Sequence, residues 1–251
     1  MVIIIIIIIL LLSLFLLFYA TDDMVVKEEM KAVEKSRQER IIDEENLKKG
    51  YSFEQMITQE VQKRLKDAIV INNCILNKKN KNGNDIYLNG TLASKEIDII
   101  ILSSKGLFAL ESKFYQGAFV SGNLHDRAWR VSYSKNKVYD RYSPFKQVTE
   151  AVTTLKRYLP NYDFNRHVVF PDSTKLSSNL KDTEQVWNLQ EFCWFLEDVA
   201  KRQDTISKNS INLIKELLIE ENERARTMHA NAGSSHVDFV DEVKKLENAT
   251  A

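Results

Sequence analysis

The sequence predicts an α/β protein in which a β-sheet is flanked by helices and one transmembrane helix precedes the folded body. Three observations carry that expectation. Of 251 residues, 44% are hydrophobic and 28% charged, the composition of an ordinary folded protein. Only 7 Gly and 3 Pro are present, too few turn formers for a many-turned all-β sandwich and better suited to long helices with a modest sheet. The first 20 residues stand apart as one apolar run.

Val2 to Tyr19 is a stretch of 18 residues without a charge, about 27 Å long as a helix and enough to cross a bilayer core. No Lys or Arg precedes it, and it is longer than a signal-peptide core. An uncleaved anchor over residues 1–20, with residues 2–19 in the bilayer, is therefore expected over a cleaved signal peptide. Lys27, Lys31, Lys35, Arg37 and Arg40 follow closely. Because basic residues stay on the cytoplasmic side, the amino terminus is expected outside and the body in the cytoplasm, as in a single-pass membrane protein. Cys74 and Cys193 sit among apolar neighbours and fit neither a disulfide framework nor a zinc spacing. They read as buried free thiols, in keeping with a reducing compartment.

Residues 21–49 form a charged helical linker, with Val26, Met30, Val33 and Ile41 near helical spacing and Gly50 expected to end it. The stripe suits a solvated spacer or a short self-associating stalk. Two further segments are expected, a domain over 50–170 and a helical extension over 171–251. Basic and acidic residues are equal in number, 35 of each, which excludes a uniformly basic nucleic-acid coat and a polyacidic disordered tail. The balance hides a division: 7 basic and 9 acidic residues in 21–49, 18 and 11 in 50–170, and 10 and 15 in 171–251. The +7 middle region suits a polyanionic partner, since Lys and Arg neutralise phosphates.

Within that region Ser52–Ile69 is expected to be a helix capped by Ser52, with Phe53, Met56, Ile57, Val61 and Leu65 on one face. Ile69–Leu76 reads as a strand, and the Asn- and Lys-rich residues 77–85 as a loop. Ile97–Leu102 and Leu107–Lys113 are apolar runs joined by Ser103-Ser104-Lys105-Gly106, a hairpin with Gly free to take positive φ. Two or three short strands are expected between Phe119 and Tyr139, and Ser143-Pro144 opens a helix running to about Leu159. His167–Phe170 reads as a strand. Val186–Val199, Ile211–Arg226 and Val237–Leu246 read as helices, and the aromatic spacing of Trp187, Phe192, Trp194 and Phe195 as packing.

The hairpin carries the chemistry. With Ser104 and Lys105 as the two turn residues, Asp98 falls opposite Glu111 and Glu96 opposite Lys113, all on one face and next to strongly apolar positions. Two carboxylates at one sheet end make a hard-oxygen site for Mg²⁺ or Mn²⁺, and an adjacent ammonium can orient a water or stabilise an oxyanion. The competing account makes Glu111 and Lys113 cross-strand ion-pair partners of Lys95 and Glu96 on an exposed face. No Walker loop, dinucleotide fingerprint or Gly-x-Ser-x-Gly elbow is present, and His125, His167, His229 and His236 form no ligand pair.

The string Glu96-Ile97-Asp98-Ile99-Ile100, followed by Gly106-Leu107-Phe108-Ala109-Leu110-Glu111-Ser112-Lys113-Phe114-Tyr115-Gln116-Gly117, resembles the core of the nuclease-related domain (NERD) family of the PD-(D/E)xK nuclease superfamily. Glu54, Trp129 and the Pro144-x-x-Gln147 turn extend the likeness over roughly residues 50–170. Phe53 stands where the family commonly has Gly, and Ser143 where it commonly has Asn. The resemblance implies a restriction-endonuclease-like core with a small mixed sheet. It also implies a nuclease of the Mg²⁺ (or Mn²⁺) type in which Asp98 and Glu111 bind the metal, Lys113 positions or activates the attacking water, Glu54 completes the acidic cluster and Gln147 lines the site. From the residues alone, Glu54 is equally a surface helix residue, Gln147 equally a first-turn residue, and Trp129 a core wall ahead of a stacking surface. The expected activity is hydrolysis of nucleic acid, DNA ahead of RNA, at the cytoplasmic face of the membrane. A catalytically inactive binding module on the same fold is the alternative.

Overall fold

The computed structural model describes residues 45, 47–88 and 91–231. The chain divides into two units, Met1–Lys49 and Gly50–Ala251. The expected anchor over residues 2–19, most of the linker and the helix expected over Val237–Leu246 lie outside the described residues. Among the described residues no helix is long and apolar enough to cross a membrane.

The first helix, α1, covers residues 47–64. It passes through Gly50, where a break was expected, and Ser52 lies inside it instead of capping it. One Gly in a helix costs only about 1 kcal/mol, less than the burial of Phe53, Ile57, Val61 and Leu65 returns at about 1.5–3 kcal/mol each. These four form a strict i, i+4 row. Met56, expected beside them, sits off the row and is 49% exposed.

Five strands form the main sheet in the order β1 (Ile69–Asn77), β4 (Ser94–Ser103), β5 (Gly106–Ser112), β9 (Phe164–Phe170), β11 (Val186–Asn188). The pairs β1–β4 and β4–β5 are antiparallel, while β5–β9 and β9–β11 are parallel, so the sheet is mixed as expected. Near the turn the hairpin register is the expected one, with Ile99 paired to Leu110 and Ser103 to Gly106, but the ladder stops at Ile99–Leu110, so the expected pairs Asp98–Glu111 and Glu96–Lys113 do not form. Gly106 takes positive φ at 149°. A second sheet runs β10 (Lys175–Leu176), β6 (Phe119–Ser121), β7 (Ala128–Ser134), β8 (Lys137–Tyr142). It gives the chain more strand than its low Gly and Pro content predicts: one Gly, Gly122, with Asn123 and Asp126 serves the β6–β7 connection, and Lys135-Asn136 makes the β7–β8 turn without Gly or Pro. A short pair, β2 (Tyr87–Leu88) and β3 (Thr91–Leu92), completes the strands.

Helices cover both faces of the main sheet. On one face α1 and α4 (Leu189–Ala200) enclose Ile99, Ile101, Phe108, Leu110 and Val169. On the other, α2 (Pro144–Tyr158) and α5 (Lys208–Asn231) pack Phe145, Val148, Leu155, Ile211, Ile214 and Leu218 against Ile100, Leu102, Leu107 and Val168. The Ser143 hydroxyl accepts from Lys146 N–H at 3.3 Å, capping α2 as its sequence predicts. The helix expected from Val186 begins three residues later: Val186–Asn188 pairs with β9 as β11, and Asn188 with Glu191 forms a capping box for α4. A single-turn helix, α3 (Ser178–Lys181), precedes β11. The segment after residue 170 thus supplies an edge strand as well as helices. Cys74 and Cys193 are buried free thiols.

One rung of the sheet departs from ideal pairing. In β1, Ile69, Ile71, Cys74 and Leu76 all pack toward α2 and α5, and in β4 so do Ile97, Ile100 and Leu102. Strict alternation would turn Cys74 and Ile97 to the opposite face. Both strands change phase at the same place, between the pairs Asn72–Ile99 and Cys74–Ile97, where Asn73 faces Asp98. Asn73 has φ of 50°, a left-handed conformation that Asn tolerates better than most residues. Two residues of α5 secure the distorted strand: Arg226 Nη2 donates to the Asn73 carbonyl at 2.6 Å, and Asn222 Oδ1 accepts from Ile75 N–H at 2.8 Å.

Candidate functional site

The phase change sets the site. Past the Ile99–Leu110 pair, β5 remains joined to β9 through Glu111–Val168 and Ser112–Val169, while its hydrogen bonding to the β4 backbone ends. The Asp98 side chain takes over, with Oδ2 accepting from Ser112 N–H at 2.8 Å and from the Ser112 hydroxyl at 3.3 Å. The same hydroxyl lies 3.3 Å from Glu54 Oε1. Ser112 thereby joins a carboxylate of α1 to one of β4, and Asn73 adds a side-chain hydrogen bond to Glu54.

Glu111 is 4% exposed, and its Oε1 lies 2.5 Å from Lys113 Nζ. The surface ion-pair account does not describe this cluster, since Glu111 is buried and Lys95 pairs with Glu150 at 3.9 Å. Burial, then the charge of Glu111, push the Asp98 carboxyl up to about 7, against the pull of Lys113 and the Ser112 N–H. Glu54 is raised by burial, with Ser112 opposing it and Glu96 adding repulsion. For Lys113, burial disfavours the charge, but Glu111 and Asp98 outweigh it and raise the ammonium above its ordinary value. Lys113 is a fixed positive charge among three acids.

The structure brings Glu54, Asp98, Glu111 and Lys113 together. Gln147, in the first turn of α2, has no contact with them among the described hydrogen bonds. Its N–H bonds the Ser143 carbonyl at 3.1 Å, and its Oε1 is buried without a partner. Trp129 is core: it is 1% exposed, donates from Nε1 to the Asn123 carbonyl at 2.8 Å and packs on Phe170. Ser112 and Asn73 are the participants that sequence reasoning missed. The x of Glu-x-Lys signals its role for Ser112, but nothing local signals it for Asn73, whose part depends on β1 pairing with β4.

Among the described residues no three His, Cys, Asp or Glu side chains converge closely enough to hold a metal ion. Two carboxylates suffice for Mg²⁺, which retains several waters and needs only one or two protein carboxylates. The oxygen donors of Asp98 and Glu111 fit that requirement, and their repulsion is what a cation would relieve.

His167 lies on β9 opposite Leu110, one residue from Glu111, but serves the core. Its Nδ1 accepts from Trp187 Nε1 at 3.0 Å, and its ring lies among Phe108, Phe192 and Phe195. Burial holds it down to about 3.

A mixed sheet flanked by helices, with Asp98, Glu111, Lys113 and the helix residue Glu54 gathered at one end of its inner strands, defines an α/β domain. Residues 49–171 match the family model of NERD, the nuclease-related domain. The match supports a place for this segment in the NERD family. It runs from α1 to just past β9 and leaves β11, α4 and α5 outside. No curated protein and no solved structure matches the chain.

Proposed function

We propose that this chain is a metal-dependent nuclease that hydrolyses nucleic-acid phosphodiester bonds at the cytoplasmic face of a membrane. The observation that carries the reading is the buried cluster of Asp98, Glu111 and Lys113, linked through Ser112 to Glu54. Burying acids that repel one another costs stability, and a binding-only fold has no need of the arrangement.

Asp98 and Glu111 would hold Mg²⁺ or Mn²⁺, which when bound supplies charge neutralisation for phosphate and a more acidic water. Lys113, held protonated, acts as a hydrogen-bond donor and fixed charge. It orients the attacking water and stabilises negative charge on phosphorus-bound oxygen, and it does not serve as a base. Glu54 is the acid best placed to accept a proton, its affinity raised by burial and Glu96. Gln147 Oε1, a buried acceptor without a partner, would receive a hydrogen bond from a water or from substrate. As Glu54 takes a proton from the water, the water oxygen bonds to phosphorus, the ester P–O bond breaks, and the leaving alkoxide takes a proton from solvent water.

The test is incubation of the full chain, in detergent micelles, with plasmid DNA, single-stranded DNA and RNA in Mg²⁺, Mn²⁺ or EDTA. Cleavage that needs the metal is expected, on DNA ahead of RNA. Binding without cleavage in any metal would select the inactive module, which the internal Lys113–Glu111 pair also suits. The membrane location rests on the apolar run Val2–Tyr19 and the basic residues after it. Protease added outside intact cells should leave the body uncut, and digestion would reverse the orientation.

A further inference from the structure

We propose that the inner face of the β7–β8 hairpin, formed by Tyr133, Tyr139 and Arg141, is the track on which single-stranded nucleic acid approaches the carboxylate cluster. The proposal rests on the nuclease reading and names its substrate form. Cross-strand partners share a face of a sheet, and Val131 pairs with Tyr139 and Trp129 with Arg141. Trp129 and Val131 are buried in the main core. Tyr139 and Arg141 therefore continue a core-facing surface onto the edge strand, where nothing among the described residues covers it. Tyr133 is 47% exposed and Tyr139 44%. Their ring centroids are 6.5 Å apart at 68°, and the Arg141 guanidinium lies over Tyr139 at 5.1 Å from the ring centre.

Charge on the hairpin is divided by face. On the outer side Arg130 is neutralised by Asp140 at 3.6 Å. Arg141 makes no ion pair among the described residues, and Lys135 and Lys137 stand exposed at the tip. Exposed aromatic rings beside unpaired cations favour a strand whose bases are free to stack and whose phosphates need neutralising, whereas a duplex keeps its bases stacked on one another.

The track leads to the chemistry. Tyr115, two residues beyond Lys113, packs on Phe170 at 5.9 Å, and Phe170 on Trp129 at 6.5 Å. Lys113 and Arg141 both act on the Tyr115 hydroxyl, opposing the rise that burial causes, so Arg141 and the cluster share one neighbour. Tyr115 thus lies within electrostatic reach of both the hairpin's Arg141 and the cluster's Lys113.

The test is fluorescence anisotropy of labelled oligothymidine, and of a duplex of equal length, with the full chain in micelles and EDTA present. Single strands should bind more tightly than duplex. Tyr133→Ala and Tyr139→Ala should each weaken single-strand binding by about fivefold to about a hundredfold, and Tyr139→Phe should restore it. Arg141→Gln should flatten the log–log salt slope by about 0.7. All three side chains are exposed, so unchanged melting temperatures are expected to accompany these losses. Affinities within about twofold of the parent chain, or duplex binding as tight as single-strand binding, would overturn the proposal. Loss of binding in the variants without any cleavage by the parent chain would keep the track and remove the catalytic reading. Cleavage by the parent with unaffected variants would do the reverse.

Discussion

Arg226 Nη2, on the last helix, donates a 2.6 Å hydrogen bond to the carbonyl of Asn73, the left-handed residue that faces Asp98 across the β1–β4 pair. A residue outside the nuclease-related match thus secures the backbone at the rung from which the acidic cluster is built. With Asn222 one turn earlier, it serves backbone groups of β1, an edge strand with no further strand beyond it to pair with.

Arg226→Ala should lower stability by about 1 kcal/mol, less than the roughly 1.5–3 kcal/mol of a buried bond to a charged group because Arg226 is solvent-exposed. Asn73→Ala should cost more, since Ala loses the bond to Glu54 and bears about 1–2 kcal/mol of left-handed strain. Asn73→Gly should fall between the parent chain and Asn73→Ala. Urea midpoints of the three variants check the order, and equal midpoints for Gly and Ala would refute the strain account.

Asp98→Asn, Glu111→Gln and Lys113→Gln should each reduce metal-dependent cleavage by at least about a hundredfold while circular dichroism stays that of the parent. Full activity in any two would remove the catalytic assignment. Glu111→Gln is preferable to Ala, because truncation leaves the half-buried Lys113 ammonium without its closest partner.

His167 gives acid sensitivity of a definite sign. Its folded value, about 3, lies below the unfolded value of about 6.5. The stability it contributes is present above about pH 6.5 and is lost as pH falls toward 3, by up to about 1.4 kcal/mol per unit. Melting temperatures at pH 7 and pH 5 should therefore differ more for the parent than for His167→Gln, which can still accept from Trp187 but does not titrate. An identical pH dependence would show that other groups control acid unfolding.

Gly122→Ala should destabilise by about 1–3 kcal/mol. A Cβ there would lie 2.6 Å from Trp129 Cδ1, and Trp129 is held by the Asn123 carbonyl and Phe170. Thermal melts check this, and a variant as stable as the parent would mean that the ring has room to move.

The hairpin was legible because its information is local: two strongly apolar runs and a four-residue turn leave one register that buries them both, and Ile99–Leu110 follows. The Ser143-Pro144 helix start is local in the same way. Val186–Asn188 was misread as helix because three apolar and polar residues before a capping box have no period of their own, and only an available β9 edge makes them a strand. Ser52 was misread as a cap because capping chemistry on one residue is weaker than the continuous apolar row that follows it.

By itself the sequence determined which acids and which lysine stand at one end of a buried hairpin, since the turn and the apolar runs on either side of it bring Asp98, Glu111 and Lys113 to the same end. Only the tertiary structure decided how they are held. The phase change at Asn73 and Asp98, the Ser112 link to Glu54 and the grip of Arg226 join residues far apart in the chain. Such contacts arise when helices close over both faces of a sheet, and no local period or propensity encodes them.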